Sequence, residues 1–192
     1  KPDCIVGLEE RGRPRREDGK AYKGKAEGSN SSEGLWIANL TGKPLKEATN
    51  ILWFESAYDA MAEYQINPVK SVYVSTGGTP TKGQIKGMLE ETRQASHYLG
   101  FDKDEAGRGF VKNFKAIAKE MGIADFTVQA FHPLGQYKDW NDALLGKRDQ
   151  RLIDQGEIDF DYFEFAKAQE AERQQEQAKQ KEKEEQTLGF RR

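Results

Sequence analysis

The feature that most constrains the fold is an alternation in the middle of the chain. Between Ile51 and Leu145, four short apolar runs are separated by stretches long enough for helices. The runs are Ile51-Leu52-Trp53-Phe54, Val72-Tyr73-Val74, His97 to Phe101 and Phe126 to Phe131; the stretches are 56–65, 81–93 and 105–121. Short runs rich in β-branched and aromatic residues suit strands covered on both faces. The last stretch carries Phe110, Phe114, Ile117 and Ala118 at helical spacing, which gives it one apolar side. Strand and helix alternating in this way predict right-handed βαβ units and a central, mainly parallel, four-stranded sheet flanked by helices. Functional residues of such a sheet gather at the carboxyl ends of its strands.

The flanks read differently. Residues 1–50 hold two strand-like pieces, Cys4 to Leu8 and Leu35 to Ala38, among turns marked by Gly24, Gly28, Gly34 and Ser29 to Ser32. They predict a small N-terminal antiparallel β element ahead of a core at 51–148. Residues 149–192 form a C-terminal helical extension, expected to be partly disordered. After Phe160, Tyr162, Phe163 and Phe165 it becomes rich in Gln, Glu, Lys and Ala, a composition that favours helix but shows no apolar face beyond Ala171. A solvated charged helix and a partner-binding helix are both open.

A formal net charge of −2 means that no global basic field advertises a nucleic-acid partner, so any such partner must be met by a local patch. Arg11, Arg13, Arg15, Arg16 and Lys23, with Lys20 and Lys25, form one candidate, diluted by Glu10, Glu17 and Asp18. It reads as solvated surface or as a phosphate-tracking loop. Cys4 is the only cysteine, which rules out internal disulfides and a Cys cluster for zinc. His97 and His132 show no ligand spacing. With no membrane-length apolar run and no signal-peptide core, a cytoplasmic protein is expected. The chain begins at Lys1 without Met, which fits a processed or excised chain.

Chemistry concentrates at the predicted strand ends. Asp102 and Asp104 stand i, i+2 where a strand gives way to a helix, in Asp102-Lys103-Asp104-Glu105-Ala106-Gly107. Hard oxygen ligands placed so suit Mg²⁺, with Mn²⁺ as a substitute. An EF-hand loop fails here, because Ala106 and Asn113 stand where ligands belong. Simple helix capping by Asp104 is the competing reading. Glu55 follows the apolar run 51–54 and should reach the same sheet edge, while Ser56 and Asp59 fit a capping box. Lys138-Asp139-Trp140-Asn141-Asp142 repeats the i, i+2 geometry after the fourth strand, although Asp and Asn also favour helix starts. Gly77 and Gly78 close the second strand, and Thr79 as N-cap with Pro80 after it predicts a helix start suited to anions.

Taken in order, these pieces resemble a Toprim domain. That family is marked by a Glu after its first strand, a Gly turn after the second and Asp-x-Asp after the third, matched here by Glu55, Gly77-Gly78, and Asp102 with Asp104. Asp102 to Gly107 is close to the form found in bacterial DNA primases. Their acidic pair after the fourth strand is matched by Asp139 and Asn141, a departure for which the neighbouring Asp142 can substitute. The stretches Gly7 to Gly12, Tyr22 to Gly24 and Gly34 to Asn39 resemble Toprim-like proteins of plasmids and conjugative elements, often preceded by a zinc finger. None is present here, which fits a chain that begins downstream of one.

The resemblance implies a compact, Rossmann-like Toprim fold and Mg²⁺-dependent nucleotidyl transfer on DNA or RNA, in particular single-stranded DNA. Asp102, Asp104 and Asp139 would hold the metal, and Glu55 would act as acid/base. Clustered carboxylates repel one another, so metal should bind more tightly as pH rises. A Toprim nuclease, an inactive binding module and an interaction protein acting through the C-terminal helix are the alternatives.

Overall fold

The computed structural model describes residues 5–155 apart from 16, 18, 20, 31 and 134. The chain divides into two units, Lys1–Ile158 and Asp159–Arg192, and the described residues all lie in the first. Arg16, Cys4, Lys20 and the C-terminal charged helix therefore fall outside the described residues. No described helix is long and apolar enough to cross a membrane.

Strands β1 (Glu9–Pro14) and β2 (Ala21–Lys25) form an antiparallel hairpin, Arg11 opposite Lys23. This is the small N-terminal β element, but not where apolar patterning placed it. Residues 5–8 are not a strand. The hairpin uses the charged stretch instead, with both strands largely exposed, so backbone pairing rather than an apolar face holds it.

The main sheet has five strands rather than four: β3 (Trp36–Asn39), β4 (Asn50–Phe54), β5 (Val72–Ser75), β6 (Ser96–Leu99) and β7 (Val128–Ala130), in the order β3-β5-β4-β6-β7. The pairs β4–β5, β4–β6 and β6–β7 are parallel. The extra strand is β3, which runs antiparallel along β5 with Trp36 opposite Ser75. A parallel sheet commonly accepts such an edge, because an antiparallel neighbour needs no crossover helix.

Alternation along β4 sorts the core into two layers. Ile51 and Trp53 join Val72, Val74 and Leu99 beneath α2 (Lys82–Glu91) and α3 (Glu105–Glu120), where Ile85, Leu89, Phe114 and Ile117 are buried. Leu52 and Phe54, also buried, belong to the opposite layer. There Phe54 stacks on Tyr73 and meets Phe131 edge-on, and Phe131 packs on Trp140. Helix α1 (Ala57–Ile66) packs against α4 (Trp140–Leu144). A last helix, α5, spans Gln150–Gln155.

Caps explain where the helices begin. Thr81 accepts from the Gln84 N–H while the Gln84 side chain accepts from the Thr81 N–H, a reciprocal box that starts α2. The helix therefore begins two residues after the expected Thr79–Pro80 start, where Gln84 completes a reciprocal box with Thr81. His97 is a core residue: its Nδ1 accepts from Trp53 Nε1 at 3.2 Å, and burial holds its pKa down to about 4.

Candidate active site at the carboxyl edge of the sheet

β4 connects through α1 to β5 on one side, and α2 then carries the chain back across to β6 on the other. A crevice opens at such a reversal, outside the carboxyl ends of the two strands concerned. Glu55 leaves β4 and Asp102 follows β6 at that point, and the Glu55 Oε1 accepts from the Asp102 N–H at 3.3 Å. Asp104 is the N-cap of α3, its Oδ1 accepting from the Gly107 N–H at 2.9 Å. Capping leaves its second oxygen turned to the crevice. That oxygen, Asp104 Oδ2, and Asp102 Oδ2 each lie 3.1 Å from Lys138 Nζ.

Gly107 has a steric reason to be glycine. A Cβ there would stand 2.0 Å from the Asp102 carbonyl oxygen, so the first turn of α3 can approach the strand end only without a side chain. Gly77 and Gly78 adopt φ of +66° and +116°, a region that favours glycine, and the Gly78 N–H donates to the Glu55 carbonyl at 2.9 Å. The glycine pair thus secures the backbone that presents Glu55.

The third segment comes from the loop before α4. Asp139 caps that helix, accepting from the Asp142 N–H at 2.7 Å. The Asn141 N–H reaches across to Asp59 Oδ1 at 3.2 Å. Asp59 also accepts from the Ser56 hydroxyl, so the residue that sequence explains by capping ties α1 to the α4 loop as well. Lys138, which the run Lys138 to Asp142 does not single out, stands at the centre of the cluster. A lone lysine beside acidic residues carries no local signal of that role.

Electrostatics bind these groups into one unit. Burial first, and then the Asp102 charge, push the Glu55 carboxyl up to about 7. Burial raises Asp59 to about 6, with Asp139 and Asp102 adding to it. Burial also raises Asp102, against the pull of Lys138. Weak burial opposes ionisation of Asp104, but the Gly107 N–H and the Lys138 ammonium outweigh it and hold this carboxyl low. Burial likewise opposes the charge on Lys138, and its bonds to Asp102 and Asp104 overcome that, keeping it above the ordinary lysine range.

The donor set fits a hard divalent ion. A cationic nitrogen already occupies the point between Asp102 and Asp104, and two carboxylates with waters suffice for Mg²⁺. Among the described residues no three of His, Cys, Asp or Glu converge to hold an ion by themselves. Asp139 uses one oxygen as a cap, and its charge reaches Asp102, whose pKa it helps to raise.

The β1–β2 hairpin lies beside the Gly77 turn, with Glu9 and Lys25 closest to it. Arg11 pairs with Glu9 at 3.7 Å, and its guanidinium sits 5.1 Å from the centre of the Tyr58 ring. A cleft of about 980 Å³ opens here, lined by Leu8, Lys25, Trp36, Tyr58, Met61 and Gly77 among others. Arg13 and Lys23 are exposed on the hairpin and Arg15 follows it.

Residues 52–144 match the family described as Toprim-like. This segment is a Toprim-like domain. Its fold recurs in the primase fragment of the bacteriophage T7 primase-helicase protein, at 22% identity and a TM-score of 0.53, covering 80% of this chain and 58% of that one. It is also similar to the Aquifex aeolicus primase (zinc-binding and RNA polymerase domains), at 18% identity and a TM-score of 0.52, covering 78% of this chain and 36% of that one. The chain thus spans less than two thirds of either structure. No curated protein matches it. The match to the Toprim-like family begins inside β4 and ends at the close of α4, so it takes in Glu55, Asp102, Asp104 and Lys138 and leaves the hairpin out.

Proposed function

We propose that the Toprim-like domain carries out Mg²⁺-dependent nucleotidyl transfer on nucleic acid, in the manner of a DNA primase. One observation carries the reading: Glu55, Asp102 and Asp104 meet at the strand-order reversal, coupled to one another and to a single internal cation. Asp102 and Asp104 would hold Mg²⁺, with Asp139 as a further ligand. The ion, when bound, supplies charge neutralisation and alignment of phosphate oxygens.

The chain's own groups do the remaining work. A Glu55 carboxyl at about 7 stands near neutrality, where a group can both take and return a proton at a substrate hydroxyl. The glycine turn holds its backbone, and the Asp102 N–H orients its carboxylate. Single-stranded DNA would run from the crevice past the hairpin, with Arg11, Arg13, Arg15, Arg16 and Lys23 meeting phosphates. Cytoplasmic location and a place in plasmid or conjugative-element replication, with a zinc finger upstream, belong to the same reading and rest on the sequence resemblance.

The test is primer synthesis on single-stranded DNA with ribonucleotides and Mg²⁺ or Mn²⁺. Asp104→Asn should abolish it while the far-ultraviolet circular dichroism and melting temperature stay near wild type. Full activity in that variant sinks the assignment. Metal-dependent cleavage of the template without synthesis would establish a nuclease using the same residues.

A further inference from the structure

Lys138 Nζ bridges the two carboxylates to which the proposed function assigns the metal, and the following inference rests on that assignment. The backbone on either side of this lysine is fixed. Its carbonyl accepts from the Lys103 N–H at 2.9 Å, and the Asn141 N–H is held by Asp59 at 3.2 Å. The side chain is held at its tip alone, by the two ion pairs. It is 32% exposed, so its flexible stem has an open route to solvent, and Asp142 lies within electrostatic reach as an alternative partner. An ammonium and a divalent ion bound by the same two oxygens would repel strongly at this separation.

We propose that Lys138 is a resident counter-ion of the Asp102–Asp104 pair, and that a divalent ion loads by displacing its ammonium. While the site lacks metal, one positive charge keeps two half-buried carboxylates from repelling each other and preserves their spacing. On loading, the bonds from Nζ to Asp102 and Asp104 break and the ammonium swings to the rim, still charged, where a substrate phosphate can meet it. Metal affinity is therefore weaker than the bare carboxylate pair would give, and lysine position reports metal occupancy.

The experiment uses the full chain. Mn²⁺ is titrated into wild type, Lys138→Met and Lys138→Arg, with free Mn²⁺ read by electron paramagnetic resonance. Removing the competing charge should tighten binding about tenfold in Lys138→Met, a low figure because the lysine is partly solvated. Lys138→Arg keeps a cation there and should bind as wild type does. A second measurement needs no variant: brief acetylation of wild type, read by mass spectrometry, should modify Lys138 faster with Mg²⁺ than without. Binding by Lys138→Met equal to or weaker than wild type, or labelling that ignores the metal, overturns the counter-ion role. If wild type nevertheless binds Mn²⁺ and Asp104→Asn does not, the metal assignment survives that failure. If neither wild type nor Lys138→Met binds, both fall.

Discussion

At the residue scale, the carboxyl groups of this chain differ by environment more than by type. Glu63 on α1 is fully buried beneath Tyr73, whose hydroxyl donates to the Val69 carbonyl at 3.2 Å and so leaves both Glu63 oxygens without a well-formed hydrogen bond. Burial pushes this carboxyl up to about 8, against weaker help from the nearby Tyr73 and Asn67. The folded state therefore binds the proton more tightly than the unfolded chain, whose value is near 4.5. Stability from this group is complete below about 4.5 and drains away as pH rises toward 8, by on the order of 5 kcal/mol. Glu63→Gln should make the melting temperature less steep across that interval and raise it at pH 8; equal slopes in the two proteins would reject the argument. Glu55, raised to about 7, bears on function with the same sign. It must lose its proton before the crevice reaches full negative charge, so Mn²⁺ affinity measured by calorimetry should climb between about pH 6 and 8. A flat profile would exclude Glu55 from the metal's surroundings.

At the scale of elements, α3 shows how a strand-to-helix turn can aim two carboxylates. Asp104 begins the helix by capping it, and Gly107 lets the first turn settle against the Asp102 carbonyl. Gly107→Ala should cost more than about 2 kcal/mol in urea unfolding, because every neighbour of the added methyl is backbone and cannot give way. Gly109 is the control within the same helix: a Cβ there meets nothing within 4 Å. Gly109→Ala should stabilise by about 0.5–1 kcal/mol through helix propensity alone. If both substitutions behave alike, Gly107 is not holding the turn. Much of this element is legible in the sequence. The apolar stripe of Phe110, Phe114 and Ile117 and the Asp cap are local features, readable within a few turns of chain. Helix α2 is legible except at its start, where two nearby threonines compete and only the Gln84 side chain decides between them.

For the whole molecule, the place of the hairpin beside the crevice is the feature on which the proposed nucleic-acid binding turns. Arg11 leans on Tyr58 at the start of α1, and Lys25 reaches the Gly77 turn, so the hairpin's basic residues sit beside the site although they precede it by many residues in sequence. Single-stranded DNA held there should bind with marked salt dependence. Replacing Arg13 and Lys23 by Ala should weaken that binding and lower the slope of log affinity against log salt by about 0.7 for each phosphate left unneutralised. An unchanged slope in fluorescence anisotropy would place the strand elsewhere. The Glu9–Arg11 pair keeps the patch from being uniformly basic, consistent with a surface that must also border an acidic crevice.

What the sequence determined by itself was whatever local pattern encodes: the order of strands and helices from Ile51 to Leu145, the placement of Glu55, Asp102 and Asp104 at strand ends, and the caps that aim them. Periodicity and capping act over a few residues, so each can be read in a short window. Only the tertiary structure decided the rest. β3 left the N-terminal element for the sheet because β5 offered an unpaired edge, and pairing partners are chosen across the chain rather than along it. The hairpin formed in a charged stretch that no apolar alternation marks. Asp59 and Asn141 met because α1 packs on α4. Lys138 became the cation between Asp102 and Asp104 because the α4 loop is tied to Lys103. Each of these is a meeting of distant segments, fixed by how the two layers close over the sheet.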